Sequence, residues 1–91
     1  HSLGGALATL AAADVAARYP TCRSVLLSFG QPKVGNAAFA EAANALLPAA
    51  YRIVNDVDLV ARSPPGRFRH VGRAVLVNEA GTLWVEGAFA G

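Results

Sequence analysis

His1-Ser2-Leu3-Gly4-Gly5 opens the chain directly ahead of its strongest helix-forming run. Ser2-Leu3-Gly4 supplies the last three residues of a G-x-S-x-G pattern, with His1 as its first variable position. In that pattern a serine occupies a sharp turn between a strand and a helix, small residues on either side give the turn room, and Oγ projects clear of the sheet. A neutral serine hydroxyl is a poor nucleophile. It needs a general base, usually histidine, to take its proton as it attacks a carbonyl carbon. The oxyanion that forms needs donors already in place, and a helix amino terminus offers free N–H groups and the positive end of the helix dipole. The N–H of Leu3, the residue after Ser2, is the candidate donor. The same five residues also fit a plainer role, a serine N-cap followed by two glycines that ease close helix packing. A phosphate loop is excluded, because neither G-x-x-x-x-G-K-[ST] nor G-x-G-x-x-G occurs.

A base and an orienting acid would have to come from elsewhere in the chain. Asp56 and Asp58 stand two residues apart after the apolar run Tyr51 to Asn55. A carboxylate at that place can orient an imidazole and stabilise the imidazolium, or it can close a strand in an Asx turn. The two histidines are His1 and His70. His1 is the immediate neighbour of Ser2, and adjacent residues at a tight turn point their side chains apart, which makes it a poor partner.

The elements that must position these groups follow from periodicity. Residues 3 to 18 place Leu3, Leu7 and Leu10 at helical spacing, continued by Ala11 and Val15, among strong helix formers. Tyr19-Pro20 stops that helix, since the residue before proline is pushed out of the α region. The many alanines predict a buried helix close against a sheet. Residues 24 to 30 form a short apolar run suited to a fully buried parallel strand. Asn36 opens a second helix with Phe39, Ala43, Leu46 and Leu47 on its inner stripe and Pro48 as its stop. Tyr51 to Asn55 is the next strand. Helix, strand, helix, strand is the alternation of an α/β sheet with crossover helices. After a Pro/Gly/Arg loop, residues 71 to 87 predict two β runs around Asn78-Glu79-Ala80-Gly81, a C-terminal hairpin. The Gly30 to Gly35 loop (GQPKVG) carries turn chemistry, with Pro32 presetting φ and Gly35 freeing it.

Composition narrows the classes. At 91 residues the chain is one small domain or a piece of one. A single cysteine, Cys22, forms no internal disulfide, and two histidines with one cysteine supply neither HExxH nor paired CxxC, so no disulfide framework or structural zinc is expected. Net charge is +2, and four arginines (Arg62, Arg67, Arg69, Arg73) fall between positions 62 and 73. With only Phe68 among them and no recognition helix, they predict a solvated loop rather than a nucleic-acid surface. No apolar run reaches the roughly 18 to 20 residues of a transmembrane helix. The chain starts at His1, inside the motif, so any targeting segment would lie upstream, and the compartment, secreted or cytoplasmic, is left open.

Three blocks in order, HSLGGALA, SFGQPKVGNAAF and RIVNDVDLVARSPPGRFRHVG, resemble the class 3 lipase family, the fungal-type triacylglycerol lipases of the α/β-hydrolase fold. The likeness covers residues 1 to about 73. It implies a partial α/β-hydrolase domain truncated at both ends, a Ser-Asp-His triad, a lipid ester as substrate with water as acceptor, a possible lipid interface, and no cofactor or metal. Ser2 matches the nucleophile. Asp58, ahead of Leu59-Val60 and Pro64-Pro65, matches the acid, which leaves Asp56 as a turn residue. His70 matches a scaffold position entering a strand, so the resemblance implies a catalytic histidine beyond Gly91. The strand before Ser2, the lid and the second oxyanion donor would lie upstream. The 91 residues alone are therefore expected to be inactive and poorly folded or aggregation-prone. Two other readings stay open, an esterase of the same fold for short-chain, phospholipid or aromatic esters, and a non-catalytic binding module.

Overall fold

A computed structural model describes residues 1–55 and 58–86. The chain runs α1 (Leu3–Arg18), β1 (Leu26–Phe29), α2 (Ala37–Leu46), β2 (Ala50–Asn55), a 3-10 turn (Val60–Arg62), β3 (Arg73–Val77) and β4 (Leu83–Val85). The strands form one sheet in the order β1-β2-β3-β4. β1, β2 and β3 are parallel, with Leu26 opposite Ala50 and Tyr51 opposite Arg73. β4 folds back antiparallel on β3, pairing Val77 with Leu83 across the Asn78 to Thr82 turn. α2 is the crossover between β1 and β2. Between β2 and β3 the described crossover contains only the 3-10 turn.

α1 lies closer to the sheet than its leucines would allow. Its buried residues are Gly5, Thr9, Ala13 and Ala16. A methyl group on Gly5 would come within 3.1 Å of the Gln31 Cβ and 3.3 Å of the Ser28 Cβ. Thr9 removes the polarity of its buried hydroxyl by donating to the Gly5 carbonyl at 2.8 Å. The expected leucine stripe is thus on the wrong side: Leu3 is 67% exposed and Leu7 58%. Helical spacing identifies a face without saying whether large or small residues touch the sheet, and here close approach selects the small ones. β1 corrects a second expectation. Leu26 and Ser28 are buried while Leu27 and Phe29 are exposed, so the strand is covered on one face rather than two.

α2 starts where expected, with Asn36 accepting a hydrogen bond from the Phe39 N–H at 2.9 Å. Its buried residues are Ala40 and Ala43, Leu47 at its carboxyl end is also buried, and Phe39 is partly buried; Leu46 is exposed instead of lying on the inner stripe. Both helices contribute to one core with Leu26, Ala50 and Val71. A buried polar link ties the sheet to the loop after β1: Ser28 Oγ donates to Gln31 Oε1 at 2.5 Å, and Gln31 Nε2 donates to the Val71 carbonyl at 3.2 Å. Gln31 is fully buried, so this chain of bonds sets where the Gly30 loop lies.

Candidate active site

Ser2 occupies the turn into α1 at φ 55° and ψ −122°, and no other non-glycine residue among those described has a positive φ. Such a conformation costs about 1 to 3 kcal/mol and persists only when its surroundings hold it. Two elements do so. The Ser2 N–H donates to the Phe29 carbonyl at the end of β1 at 2.8 Å, and the Ser2 carbonyl accepts from the N–H groups of Gly5 at 2.9 Å and Ala6 at 3.3 Å. Although Ser2 stands at the N-cap position, its side chain makes no capping hydrogen bond. The plainer N-cap role is therefore not what the hydroxyl performs. The Leu3 N–H, in the first turn of α1, has no hydrogen-bond partner among the described residues.

Asp58 follows the carboxyl end of β2. Its N–H donates to the Asn55 carbonyl at 3.0 Å, and its Oδ1 accepts from the Val60 N–H at 3.0 Å. That is an Asx turn, and it fixes the carboxylate by one oxygen. The other oxygen, Oδ2, lies over Gly30, where an added Cβ would stand 2.8 Å from it. The Asx turn thus uses one carboxylate oxygen and leaves the other towards Gly30. The turn reading of Asp56 falls outside the described residues.

Gly30 joins the two halves of the site. It follows Phe29, to which Ser2 is bonded, and it has φ +64°, open to glycine at no steric cost. The His1 ring occupies the other side of the same space, with Nε2 3.2 Å from the Cβ that glycine lacks. Ser2, His1 and Asp58 therefore gather around Phe29-Gly30, at the carboxyl ends of parallel strands where α/β folds place their sites. Sequence reasoning left Gly30 as a turn residue and did not single out Gln31. The signal was present in the combination of a positive-φ glycine and a glutamine straight after an apolar strand, but neither residue type by itself indicates a site.

His70 belongs to the opposite end of the sheet. It lines a cleft of about 570 Å³ with Asn44, Arg52, Gly72 and Glu86, where β2 and β3 begin. Among the described residues its Nδ1 is buried without a hydrogen-bond partner. Burial, then the positive charges of Arg52 and Lys33, hold its pKa down at about 4, with Glu86 opposing. His70 thus lines a cleft at the amino ends of β2 and β3, with its imidazole held neutral. Arg52, 6% exposed, is held there by the Gly72 carbonyl at 3.2 Å and by Glu86 at 3.3 Å. Desolvation lowers its pKa while Glu86 raises it.

Residues 1–68 match the family model of lipase (class 3). The chain is 41% identical over 71 residues to the chloroplastic phospholipase A1-Igamma1 of Arabidopsis thaliana, which covers 70% of this chain and 14% of that protein. Lipase II from Rhizopus niveus superposes with a TM-score of 0.86 at 29% identity, over 97% of this chain and 36% of that one. A triacylglycerol lipase whose catalytic centre is a serine protease triad superposes at 0.80 with 37% identity, over 93% of this chain and 34% of that one. The 91 residues thus span about a third or less of the proteins they match. The chain belongs to the class 3 lipase family, and its mostly parallel sheet is part of an α/β-hydrolase fold.

Proposed function

We propose that the protein is a serine ester hydrolase acting on lipid esters, triacylglycerols first, with Ser2 as nucleophile, Asp58 as the orienting acid and the Leu3 N–H as one oxyanion donor. The observation that carries this reading is Ser2 itself, a strained residue whose hydroxyl caps nothing. Strain of that size is retained at sites where it serves a reaction. The family match and the triad named for the triacylglycerol lipase neighbour support the assignment.

The base takes the Ser2 proton as Oγ attacks the ester carbonyl carbon, and the oxygen becomes an oxyanion facing the Leu3 N–H. The C–O bond then breaks, the alcohol leaves with that proton, and water repeats the sequence on the acyl-enzyme to release the acid. Neither histidine of these 91 residues fits the base. His70 is at the far end of the sheet, and His1 lies over Gly30, with no bond to Ser2 Oγ. The base is therefore proposed to come from a part of the protein outside them.

The phospholipase A1 relative favours one second reading, a phospholipid ester as substrate for the same triad. Turnover of p-nitrophenyl butyrate, p-nitrophenyl palmitate and a phosphatidylcholine by the full-length protein, with Ser2→Ala beside it, tests both. Ser2→Ala is expected to lose about a million-fold in kcat, the usual effect of removing a triad nucleophile. Full activity in Ser2→Ala would overturn the assignment and leave a lipid-binding module as the remaining reading.

A further inference from the structure

Gln31 is fully buried, and its amide is tied at both ends. Ser28 Oγ donates to Oε1 at 2.5 Å, and Nε2 donates to the Val71 carbonyl at 3.2 Å. Its Cβ faces α1, where a methyl group on Gly5 would come within 3.1 Å. One side chain thus meets β1, the entry to β3 and the helix that begins after Ser2, and all of these partners are among the described residues. Filling space does not call for glutamine. An amide buried without partners costs free energy that leucine or methionine of similar size would not. Bonded at both ends, the amide fixes direction as well as volume, because its oxygen must meet a donor and its nitrogen an acceptor.

The backbone that Gln31 fixes touches both groups of the site. Phe29, just ahead of Gly30, accepts the Ser2 N–H at 2.8 Å. Gly30, directly before Gln31, lies against Asp58 Oδ2, which is 2.8 Å from where a Cβ would stand. Beyond Gln31 the Lys33 N–H donates to the Ser63 carbonyl at 2.7 Å and so holds the loop that follows Asp58. We propose that Gln31 is a positioning residue for the ester hydrolysis, setting through Gly30 the place of the Asp58 carboxylate relative to Ser2. The proposal rests on the assignment of Ser2 and Asp58 above and adds to it a buried residue that acts only through its neighbours. Without the two bonds the loop is free to slip, and a slip of about 1 Å in a catalytic group can cost a hundredfold in rate.

Gln31→Met keeps the volume and removes both bonds. With p-nitrophenyl butyrate and the full-length protein, kcat per reactive serine is expected to fall about a hundredfold with little change in KM. Reactive serines are counted by the stoichiometric release of p-nitrophenol from diethyl p-nitrophenyl phosphate, which leaves unfolded molecules out of the comparison. Thr9→Val is the control. It removes another buried bond, from Thr9 Oγ1 to the Gly5 carbonyl on α1, and should leave kcat per reactive serine unchanged. Gly30→Ala and Gln31→Met move the same carboxylate, so the double variant should lose much less than the product of the two separate losses. An unchanged kcat in Gln31→Met, a rise in KM alone, an equal loss in Thr9→Val or fully multiplicative losses overturns the proposal. If Gln31→Met does not fold, Ser28→Ala, which removes only the bond to Oε1, takes its place: a fall in kcat with KM held is expected, and an unchanged kcat overturns the proposal. Ser2→Ala keeps the two layers apart. Turnover lost in Ser2→Ala but full in Gln31→Met removes the positioning role alone, and full turnover in Ser2→Ala removes the hydrolase reading itself.

Discussion

Asp58 keeps its Oδ2 over the bare Cα of Gly30, so close that a methyl group there would stand 2.8 Å from the oxygen. That separation is below contact distance, and the same methyl would meet the His1 ring at 3.2 Å. Gly30→Ala must therefore move the carboxylate, the imidazole or the loop, and it adds the strain of a Cβ at φ +64°. Displacing a catalytic group by about 1 Å can cost a hundredfold, so Gly30→Ala is expected to lower kcat by about that factor with little change in KM. Gly81→Ala is the control, because Gly81 has φ +79° but open space around its Cα. Steady-state kinetics on the full-length protein should separate them, and equal activity in both variants would show that the Asp58 carboxylate tolerates displacement.

The positive φ of Ser2 predicts a stability difference between two variants that lack its hydroxyl. Ser2→Gly and Ser2→Ala both remove the proposed nucleophile, but only glycine accepts φ 55° without a Cβ clash. Part of the relief is offset by the extra freedom of glycine in the unfolded chain. Ser2→Gly should be more stable than Ser2→Ala by about 1 kcal/mol. Denaturant midpoints of the two variants measure the difference directly, and identical midpoints would mean that the turn stores no strain.

How far the sequence could be read depended on whether a feature was local. The ends of α1 and α2, the Asn36 cap, the parallel order of β1 and β2 and the Asn78 to Thr82 hairpin turn all arise from neighbours in the chain, and each was legible. Ser2 and Asp58 were legible as candidates because a motif and a strand end mark them. What packs against what was not legible. Leu3 and Leu7 carry the hydrophobic signal of α1, yet Gly5 and Thr9 make its contact, because the distance between helix and sheet is set by Ser28 and Gln31 on another element. The role of Gly30 was hidden for the same reason. Its glycine is needed by Asp58, which lies 28 residues further along the sequence.

That close approach makes α1 sensitive to a single methyl group. Gly5→Ala improves intrinsic helix propensity by about 1 kcal/mol, but its Cβ would sit 3.1 Å from Gln31 Cβ in a buried contact. Overpacking of this kind typically costs about 1 to 3 kcal/mol, so the net change should be destabilising. Gly4→Ala gains the same propensity with nothing within 4 Å of its new methyl. Thermal midpoints are expected to fall for the first and hold or rise for the second. A stabilised Gly5→Ala would mean that helix and sheet can move apart at no cost.

His70 sets how the fold responds to acid. In the folded chain burial, Arg52 and Lys33 hold it neutral down to about pH 4, whereas in the unfolded chain it takes a proton near the ordinary value of 6.5. Above pH 6.5 neither state is protonated at His70, and the residue adds no pH dependence. Between about 6.5 and about 4 the unfolded chain binds the proton and the folded chain does not, so stability falls as the pH falls through that window. Below about 4 both states are protonated and the loss levels off. The pH 5 to 6.5 interval lies inside this His70 window. His70→Gln keeps a polar side chain beside Arg52 and cannot titrate, so its urea midpoint should vary much less across that interval than that of the parent. An identical slope in the two proteins would assign the acid sensitivity to a group other than His70.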